Sequence, residues 1–313
     1  MTVQLVTAAV RSWLERFAGI DTALTVACSG GADSLALALG ALAVVPADRL
    51  DAVTVDHQLQ QGSGDRALHT AAQLHAIGYE TVRIDTVTVG TSGGTEAAAR
   101  AARYATLRPE RGGAVLLGHT ADDQAETVLL GLGRGSGPRS IAGMAPWRPP
   151  WGRPLLDLRR ADTEAACRES GVEFWNDPHN SDDTFTRVRL RREVLPLLED
   201  VLGGGVTPAL ARTAQLLAED LAALDYLGAR LLADVWQQGG AVDLAGLATH
   251  PVALRRRALR AWADAVGAKA LTAEHLVRLD TLATGDRRSG AVRLPGPLDA
   301  VRTGSLLRAV AVG

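Results

Sequence analysis

Two kinds of hydrophobic pattern alternate along the first part of the chain. Short apolar runs, typical of buried strands, occupy residues 23–28, 50–55, 80–89 and 114–118. Apolar residues recur every three or four positions, as on one face of a helix, in residues 3–17, 34–45, 65–77, 95–107 and 122–132. Because single helices separate successive strands, the pattern predicts a parallel sheet with right-handed crossover connections.

The pattern becomes less regular after this alternation. Residues 133–154 are rich in Gly, Pro and Arg, and they predict a long functional loop. Residues 157–170 predict a helix and residues 172–175 a short strand. A basic helix follows at residues 185–198, interrupted near Pro196.

Three consecutive glycines, Gly203 to Gly205, form a natural hinge and predict a boundary between domains 1–205 and 206–313. The second domain contains three helical patterns and a final alternating segment, at residues 208–237, 251–266, 272–283 and 289–312. The expected fold class is therefore α/β, a Rossmann-like parallel sheet with helices on both faces. A smaller, mainly helical C-terminal domain ends in a short β-hairpin region.

Composition narrows the classes of function. The chain has 313 residues, too many for one ordinary core. Its only lysine is Lys269 and its formal net charge is −2, so nucleic-acid binding requires local arginine clusters. Cys28 and Cys167 form no CxxC pair, which excludes a zinc ribbon or a cysteine-held iron–sulfur cluster within the chain. With no signal-peptide pattern and no membrane-spanning apolar run, we expect a cytoplasmic protein without membrane contact.

The strongest candidate for chemistry follows the first predicted strand, at Ser29-Gly30-Gly31-Ala32-Asp33-Ser34. Glycines let a phosphate approach the backbone, and the N-terminus of the next helix offers N–H groups and a positive dipole end. The serines add hydroxyl donors, and Asp33 is a candidate Mg²⁺ ligand. A Walker A loop ends in Gly-Lys-Ser/Thr, so this loop is of another class. We predict an ATP site here; a tight turn with an Asp cap is the structural alternative.

A second candidate follows the fourth predicted strand and so lies at the same edge of the sheet. It contains His119, Asp122, Asp123 and Glu126. The carboxylates are three and four positions apart, which makes them neighbours on a helix. Carboxylates crowd together at low energy only around a cation or an amine, so we predict a site. The alternative is the ordinary preference of acidic residues for the first turn of a helix.

Three weaker candidates complete the set. Arg100 and Arg103 lie three apart on one predicted helix, and guanidinium groups suit phosphate. Asp56 and His57 end the second strand, where adenosine commonly binds in such sheets. The arginines of the basic helix could follow a nucleic-acid backbone, and they are Arg187, Arg189, Arg191 and Arg192. Solvated helix faces and an ordinary β–α turn explain these residues about as well.

Several of these motifs resemble a known family. SGGADS (29–34) resembles the pyrophosphate loop of the N-type ATP pyrophosphatases, whose fold is adenine nucleotide α-hydrolase-like. GHTADDQAETVLLGLGRGSGPRSIAGM (118–144) resembles the second signature of the tRNA(Ile)-lysidine synthetases. The similarity continues through RPLLDLRR, WNDPHN, RVRLRREVLPLL and the closing SGAVRLPGPLDAVRTGSLLRAV, and it is to the short form of that family. It therefore covers nearly the whole chain.

The resemblance implies a ligase reaction in two steps. ATP adenylates the C2 oxygen of the wobble cytidine in tRNA(Ile) with a CAU anticodon, and pyrophosphate leaves. The ε-amine of free L-lysine then attacks C2, AMP leaves, and lysidine is formed. No covalent enzyme intermediate is required, so catalysis would consist of positioning and electrostatic stabilisation.

The resemblance also implies roles for the candidate residues. ATP would be bound by the loop residues Ser29, Gly30, Gly31, Ala32, Asp33 and Ser34, together with Asp56 and His57. Mg²⁺ would be bound by Asp33 with Asp122 or Asp123, and the lysine ammonium by Asp123 and Glu126. Catalytic roles would fall to Asp33, Arg100, His119, Asp123 and Glu126. The tRNA would be bound by the C-terminal domain and by Arg103, Arg187, Arg189, Arg191 and Arg192. A homodimer is one option for the assembly.

Three other functions remain open at this point. A cytidine thiolase of the same superfamily needs cysteines, and Cys28 and Cys167 are badly placed for that chemistry. A glutaminase domain or an N-terminal cysteine would favour a small-molecule amidotransferase or ligase, and neither is in the sequence. A nucleotide-binding regulator without catalysis would not need the crowded carboxylates.

Overall fold

A computed structural model describes residues 2–19, 21–56, 58, 62–87, 104, 106–107, 109, 113–135, 137–177, 182–286 and 289–312. The chain divides into two compact units, Met1–Leu217 and Ala218–Gly313. The division falls inside a long helix that begins at Val206, whereas the sequence predicted a boundary just before that helix, at Gly205. The predicted domain limits and the tRNA-binding role of the second domain stay predictions.

The described part of the first unit alternates strands and helices as the hydrophobic pattern predicted, whereas most of the predicted helix at residues 95–107 lies outside the described residues. Its strands are β1 (Leu24–Ala27), β2 (Leu50–Asp56), β3 (Thr81–Thr86), β4 (Ala114–Leu117), β5 (Trp147–Arg148) and β6 (Trp151–Gly152). Its helices are α1 (Thr2–Trp13, continued by the π-helix Leu14–Ala18), α2 (Ala32–Leu42), α3 (Ser63–Ile77), α4 (Ala121–Gly133), α5 (Pro138–Ile141), α6 (Arg160–Glu169), α7 (Thr186–Arg189) and α8 (Leu195–Val201). A 3₁₀-helix, Ala47–Arg49, precedes β2, and a π-helix, Leu190–Val194, joins α7 to α8.

The strands form a six-stranded sheet in the order β3-β2-β1-β4-β6-β5. All neighbours pair in parallel except β5 and β6, which are antiparallel. Strand β4 shows that the sheet is apolar on both faces, because Ala114 and Leu116 pack in one core cluster and Val115 and Leu117 in another. The predicted α/β class with a parallel sheet is confirmed. Because β1 and β4 are central neighbours, the segments that follow them lie side by side.

The segment 133–154 differs from the loop that the sequence predicted. It contains the end of α4, all of α5 and the hairpin of β5 and β6, whose second strand pairs with β4. Gly152 lies against the ring of Trp13, where a side chain would find no room. Two-residue strands are too short to show a hydrophobic period, which explains why the pattern missed them.

One further prediction needs correction, and another is confirmed. Residues 172–175 form no strand; Trp175 instead donates its backbone N–H to the carbonyl of Gly30 at 2.9 Å, outside the sheet. The interruption of the basic helix that was predicted near Pro196 is the π-helix Leu190–Val194. Because proline lacks an N–H group, it cannot continue the α-helical hydrogen-bond pattern. The spacing of the backbone hydrogen bonds therefore changes in the turn before Pro196.

The second unit combines helices with an antiparallel sheet. The helices are α9 (Val206–Val235, which begins in the first unit), α10 (Leu244–Ala248), α11 (Val252–Ala265) and α12 (Ala273–Thr284). The strands are β7 (Trp236–Gln237), β8 (Ala241–Asp243), β9 (Ser289–Leu294), β10 (Leu298–Thr303) and β11 (Leu306–Ala311), and a 3₁₀-helix, Gln238–Gly240, lies between β7 and β8. They form a sheet in the order β7-β8-β11-β10-β9 around a core that includes Trp262 and Leu259.

The final β segment is confirmed as the meander β9–β11, but β7 and β8 were not predicted. Within the described residues, no single helix has the length and apolar character needed to cross a membrane. One bent pair, Thr186–Val201 with Val206–Val235, meets those criteria by length and composition alone.

Candidate active site

The two candidate motifs meet at the carboxyl ends of β1 and β4. The loop of residues 29–34 leads from β1 into α2, and residues 118–120 lead from β4 into α4. Gly118 permits this approach, because a Cβ atom there would lie 2.8 Å from the carbonyl oxygen of Asp33. A side chain at position 118 would therefore push the two motifs apart.

Ser34 holds the loop of residues 29–34 in shape. Its Oγ accepts a hydrogen bond from the backbone N–H of Ser29 at 3.1 Å and donates one to the carbonyl of Gly31 at 2.9 Å. Gly30 has a φ of +81°, a conformation that favours glycine. A Cβ atom at Gly30 would also lie 2.6 Å from Oγ1 of Thr70 on α3. The loop is thus compact and closely packed against α3.

A cavity of about 650 Å³ opens beside the loop. Charged, aromatic and imidazole side chains from several elements line it, namely Asp33, Asp56, Arg66, His119, Asp123, Arg160, Glu164, Trp175, Asp177 and Arg191. The predicted ATP residue Asp56 is buried, and its Oδ1 accepts a hydrogen bond from the N–H of Gln58 at 2.9 Å. His57, Arg100 and Arg103 lie outside the described residues.

Arg160, the first residue of α6, connects the two motifs. Its Nε donates to Oδ2 of Asp33 at 3.2 Å, and its Nη2 donates to Oδ1 of Asp123 at 2.9 Å. Thr163, one turn later, donates its hydroxyl to the other oxygen of Asp33. The sequence analysis did not identify Arg160 as a site residue, although the motif RPLLDLRR contains it. Arg160 is far in sequence from Asp33 and Asp123, and no spacing pattern indicated that it would contact both.

The two carboxylates that share Arg160 differ in acidity. Burial raises the pKa of Asp33, and the charge of Arg160 only partly offsets this effect. Burial also acts on Asp123, but Arg160, His119, the N–H of Thr120 and Arg191 together hold its pKa below the usual value. Of the two carboxylates that share Arg160, Asp123 is therefore the more firmly ionised.

Asp122 belongs to a different contact. It accepts two hydrogen bonds from the guanidinium of Arg159, both at 3.1 Å, and one from the backbone N–H of Arg160 at 2.8 Å. It anchors the start of α6 and is not among the described side chains that line the cavity. In the described part of the chain, no three His, Cys, Asp or Glu side chains are grouped as metal ligands.

Glu126 is buried and paired with arginines of the basic helix. Its carboxylate contacts Nε of Arg191 at 2.7 Å and Nη1 of Arg187 at 3.6 Å, and its side chain is only 1% exposed. Burial raises the pKa of Glu126, against the lowering effect of Arg191. Arg191 also contacts Asp123 at 3.6 Å. Glu126 itself is not among the side chains found to line the cavity.

The arginines of the basic helix thus form two groups. Arg187 and Arg191, four residues apart, contact Glu126. Arg189 and Arg192 pair with Glu193 and Asp183 and have side chains that are 60% and 51% exposed. Sequence reasoning had grouped all four as tRNA-binding residues, and that role stays a prediction for each.

Comparisons with known protein families and sequences identify the family of this chain. The family described as "PP-loop domain" matches residues 7–198, and the "TilS substrate binding domain" matches residues 243–305. A tRNA(Ile)-lysidine synthase from Nocardia farcinica is 56% identical over 94% of this chain and 92% of its own length. The chain belongs to the tRNA(Ile)-lysidine synthase family. Another member, from Mycobacterium bovis, is 49% identical over 95% of this chain and 94% of its own length.

Membership of the tRNA(Ile)-lysidine synthase family confirms the predicted class of enzyme, a carbon–nitrogen ligase that uses ATP. The fold has a more distant relative among solved structures. The U34-tRNA thiolase NcsA from Methanococcus maripaludis superposes with a TM-score of 0.57 at 17% identity, over 70% of this chain and 80% of that chain. At this identity the likeness shows a shared fold alone.

Proposed function

We propose that this chain ligates free L-lysine to C2 of the wobble cytidine in tRNA(Ile) with a CAU anticodon. The reaction consumes ATP and releases pyrophosphate and AMP. One observation carries the proposal: a phosphate-type loop and an ionised carboxylate, Asp123, line the same cavity and are joined by Arg160. ATP activation and amine recognition can thus occur side by side.

In the first step, the cytidine C2 oxygen attacks the α-phosphorus of ATP and the bond to pyrophosphate breaks. The N-terminus of α2 and the hydroxyls of Ser29 and Ser34 would bind phosphate oxygens. Arg160 would stabilise the developing negative charge, since its guanidinium remains charged at any relevant pH. His119 follows β4 and lines the cavity, and it would contact the activated base.

Mg²⁺ forms part of the proposal. Proteins usually hold this ion through one or two carboxylates, with phosphate oxygens and water completing the shell. Asp33 fits that requirement because its carboxylate lines the cavity beside the loop. Asp122 fits it less well, because it is not among the described residues that line the cavity. A bound Mg²⁺ would neutralise phosphate charge.

In the second step, the lysine ε-nitrogen attacks C2, the bond from C2 to the adenylated oxygen breaks, and the nitrogen loses protons. Asp123 would receive the lysine ammonium; it lines the cavity, and its neighbours hold its pKa below the usual value, which supports this role. Glu126 would contribute by sharing the guanidinium of Arg191, which is 2.7 Å from Glu126 and 3.6 Å from Asp123, so that Arg191 does not pair with Asp123 alone. A carboxylate could also accept the proton that the amine must lose.

The tRNA would be bound by exposed arginines of the basic helix, of which Arg189 and Arg192 are the most accessible. The matched substrate-binding domain in the second unit supports a tRNA(Ile) substrate. The homodimer and the cytoplasmic location stay predictions.

The test is incorporation of labelled lysine. The full chain is incubated with ATP, labelled L-lysine and a CAU tRNA(Ile) transcript, and label in the tRNA is counted. We expect label that depends on ATP and on the wobble cytidine, with one AMP released per lysine incorporated. A folded protein that releases AMP without labelling the tRNA would instead support the alternative, another PP-loop pyrophosphatase acting on a different tRNA or a small molecule.

A further inference from the structure

One face of α3 borders the ATP cavity beside the loop of residues 29–34. Ser63, Arg66, Ala67 and Thr70 all line the cavity, at the spacing of a single helical face. Thr70 lies so close to Gly30 that no side chain fits between them. Arg66, one turn earlier on the same face, is therefore held next to the loop that would bind phosphate.

Trp175 lies on the other side of Arg66. Its backbone N–H donates to the carbonyl of Gly30 at 2.9 Å, so the residue is attached to the same loop. The Cζ atom of Arg66 lies 3.3 Å from the centroid of the Trp175 ring, which is a close stacking contact. A guanidinium stacked in this way keeps its charge and its planar array of donors in a fixed place.

The charges around the cavity show why this arginine matters. The loop has no Walker-type lysine, since the only lysine of the chain is Lys269. Arg160 and Arg191, which pair with Asp33, Asp123 and Glu126, border the same cavity, and Arg66 adds a further guanidinium beside the loop. The pyrophosphate released from ATP carries several negative charges, and its departure requires cationic donors next to the loop.

We propose that Arg66 binds the β- and γ-phosphates of ATP and the pyrophosphate that leaves, and that Trp175 is the positioning residue that orients its guanidinium. This inference rests on the proposed function only in taking ATP as the substrate. Phosphate and guanidinium match in charge and geometry, and bidentate pairs of this type are strong.

The experiment measures direct binding of inorganic pyrophosphate and of AMP to the full chain by titration calorimetry, without tRNA. In Arg66→Gln, we expect pyrophosphate affinity to fall by about tenfold to a hundredfold, as for loss of a charged hydrogen-bonding partner. AMP affinity should stay within about twofold, because AMP lacks the phosphates that Arg66 would contact. Arg16→Gln is the matched control: Arg16 also stacks on an aromatic ring, that of Phe17 at 5.0 Å, but does not line the cavity.

Two variants of Trp175 test whether its ring orients the Arg66 guanidinium, while the charge of Arg66 stays unchanged. Trp175→Leu removes the stacking ring while the backbone bond to Gly30 remains, so pyrophosphate affinity should fall nearly as far as in Arg66→Gln. Trp175→Phe keeps a ring and should retain most of the affinity. Arg66→Lys keeps the positive charge but lacks the planar guanidinium, so its affinity for pyrophosphate should be intermediate. This variant replaces Arg66→Gln in the experiment if Arg66→Gln does not fold.

The outcomes separate this inference from the proposed function. Unchanged pyrophosphate binding in a folded Arg66→Gln variant, or a loss confined to AMP, would overturn the role of Arg66 even if the wild-type chain makes lysidine. Wild-type binding of pyrophosphate that depends on Arg66, in a chain that never labels tRNA, would leave the inference standing and remove the proposed function.

Discussion

The loop of residues 29–34 and the cluster of Asp123, Glu126, Arg160 and Arg191 border one another but are built in opposite ways. The loop is held by contacts between residues that lie close in sequence, such as Ser34 with Ser29 and Gly31. The cluster is held by ion pairs between residues 37 and 65 positions apart. A loop of this kind depends on backbone conformation, whereas the cluster depends on balanced charge. Substitutions that alter the backbone should therefore disrupt the loop, and substitutions that remove a charge should disrupt the cluster.

The largest effect is expected from Gly30→Ala in the loop. Alanine at a φ of +81° is strained by about 1–2 kcal/mol, and its Cβ would also collide with Thr70. We expect loss of measurable lysidine formation and of ATP binding, with a lower melting temperature. ATP binding by calorimetry and thermal unfolding measure both effects.

Gly31→Ala is the matched control for this loop. Gly31 has a φ of −81°, and the nearest atoms to a Cβ there are 3.7 and 3.9 Å away, which is ordinary contact. The melting temperature of the Gly31→Ala variant should stay close to that of the wild type. Equal destabilisation by the two substitutions would show that the loop is not fixed by the backbone of Gly30.

Arg160→Ala tests the cluster. It leaves Asp33 and Asp123 without their shared partner, and loss of these partly buried ion pairs should destabilise the protein by about 1–3 kcal/mol. We expect lysidine formation to fall by at least about a hundredfold, because the same guanidinium would stabilise phosphate charge. Steady-state rates and chemical unfolding measure the two effects.

The neighbouring Arg159 provides the control for Arg160. It pairs with Asp122 outside the cavity, and its side chain is 43% exposed, so Arg159→Ala should lower stability by less than about 1 kcal/mol. Its activity should remain within a few-fold of the wild type. Comparable losses in the two variants would mean that Arg160 acts only by anchoring α6.

The sequence could predict the parts of the site that local pattern determines. The strands β1 to β4, the loop of residues 29–34 and the carboxylates of α4 all follow from short-range spacing. Arg160 and Trp175 could not be found in this way, because each reaches the site through a fold that brings distant segments together. The same limit applies to Arg187 and Arg191, which resembled a solvated basic face until their contacts with Glu126 were seen.

A smaller effect is expected from Glu126→Gln. The substitution keeps the shape of the side chain but removes the charge that holds Arg191 and Arg187. Arg191 can then compete with lysine for Asp123, so the KM for lysine should rise by about tenfold, as for the loss of one charged contact. The KM for ATP should change less than about twofold. Initial rates at varied lysine and varied ATP distinguish these outcomes, and an equal rise in both KM values would contradict a role in lysine binding.

The smallest effect is a pH dependence that separates Glu126 from Asp123. Burial raises the pKa of Glu126, whereas the neighbours of Asp123 hold its pKa below the usual value despite its burial. As the pH falls, Glu126 therefore takes up a proton first, while Asp123 is still charged. The KM for lysine, measured from about pH 8 to about pH 5 at saturating ATP, should rise a few-fold at the acidic end. Glu126→Gln resembles the protonated wild type, so its already raised KM should be nearly constant over the same range. If the variant keeps the wild-type pH dependence, the titrating group is not Glu126, and the arginine pairs of the cluster do not control access of lysine to Asp123.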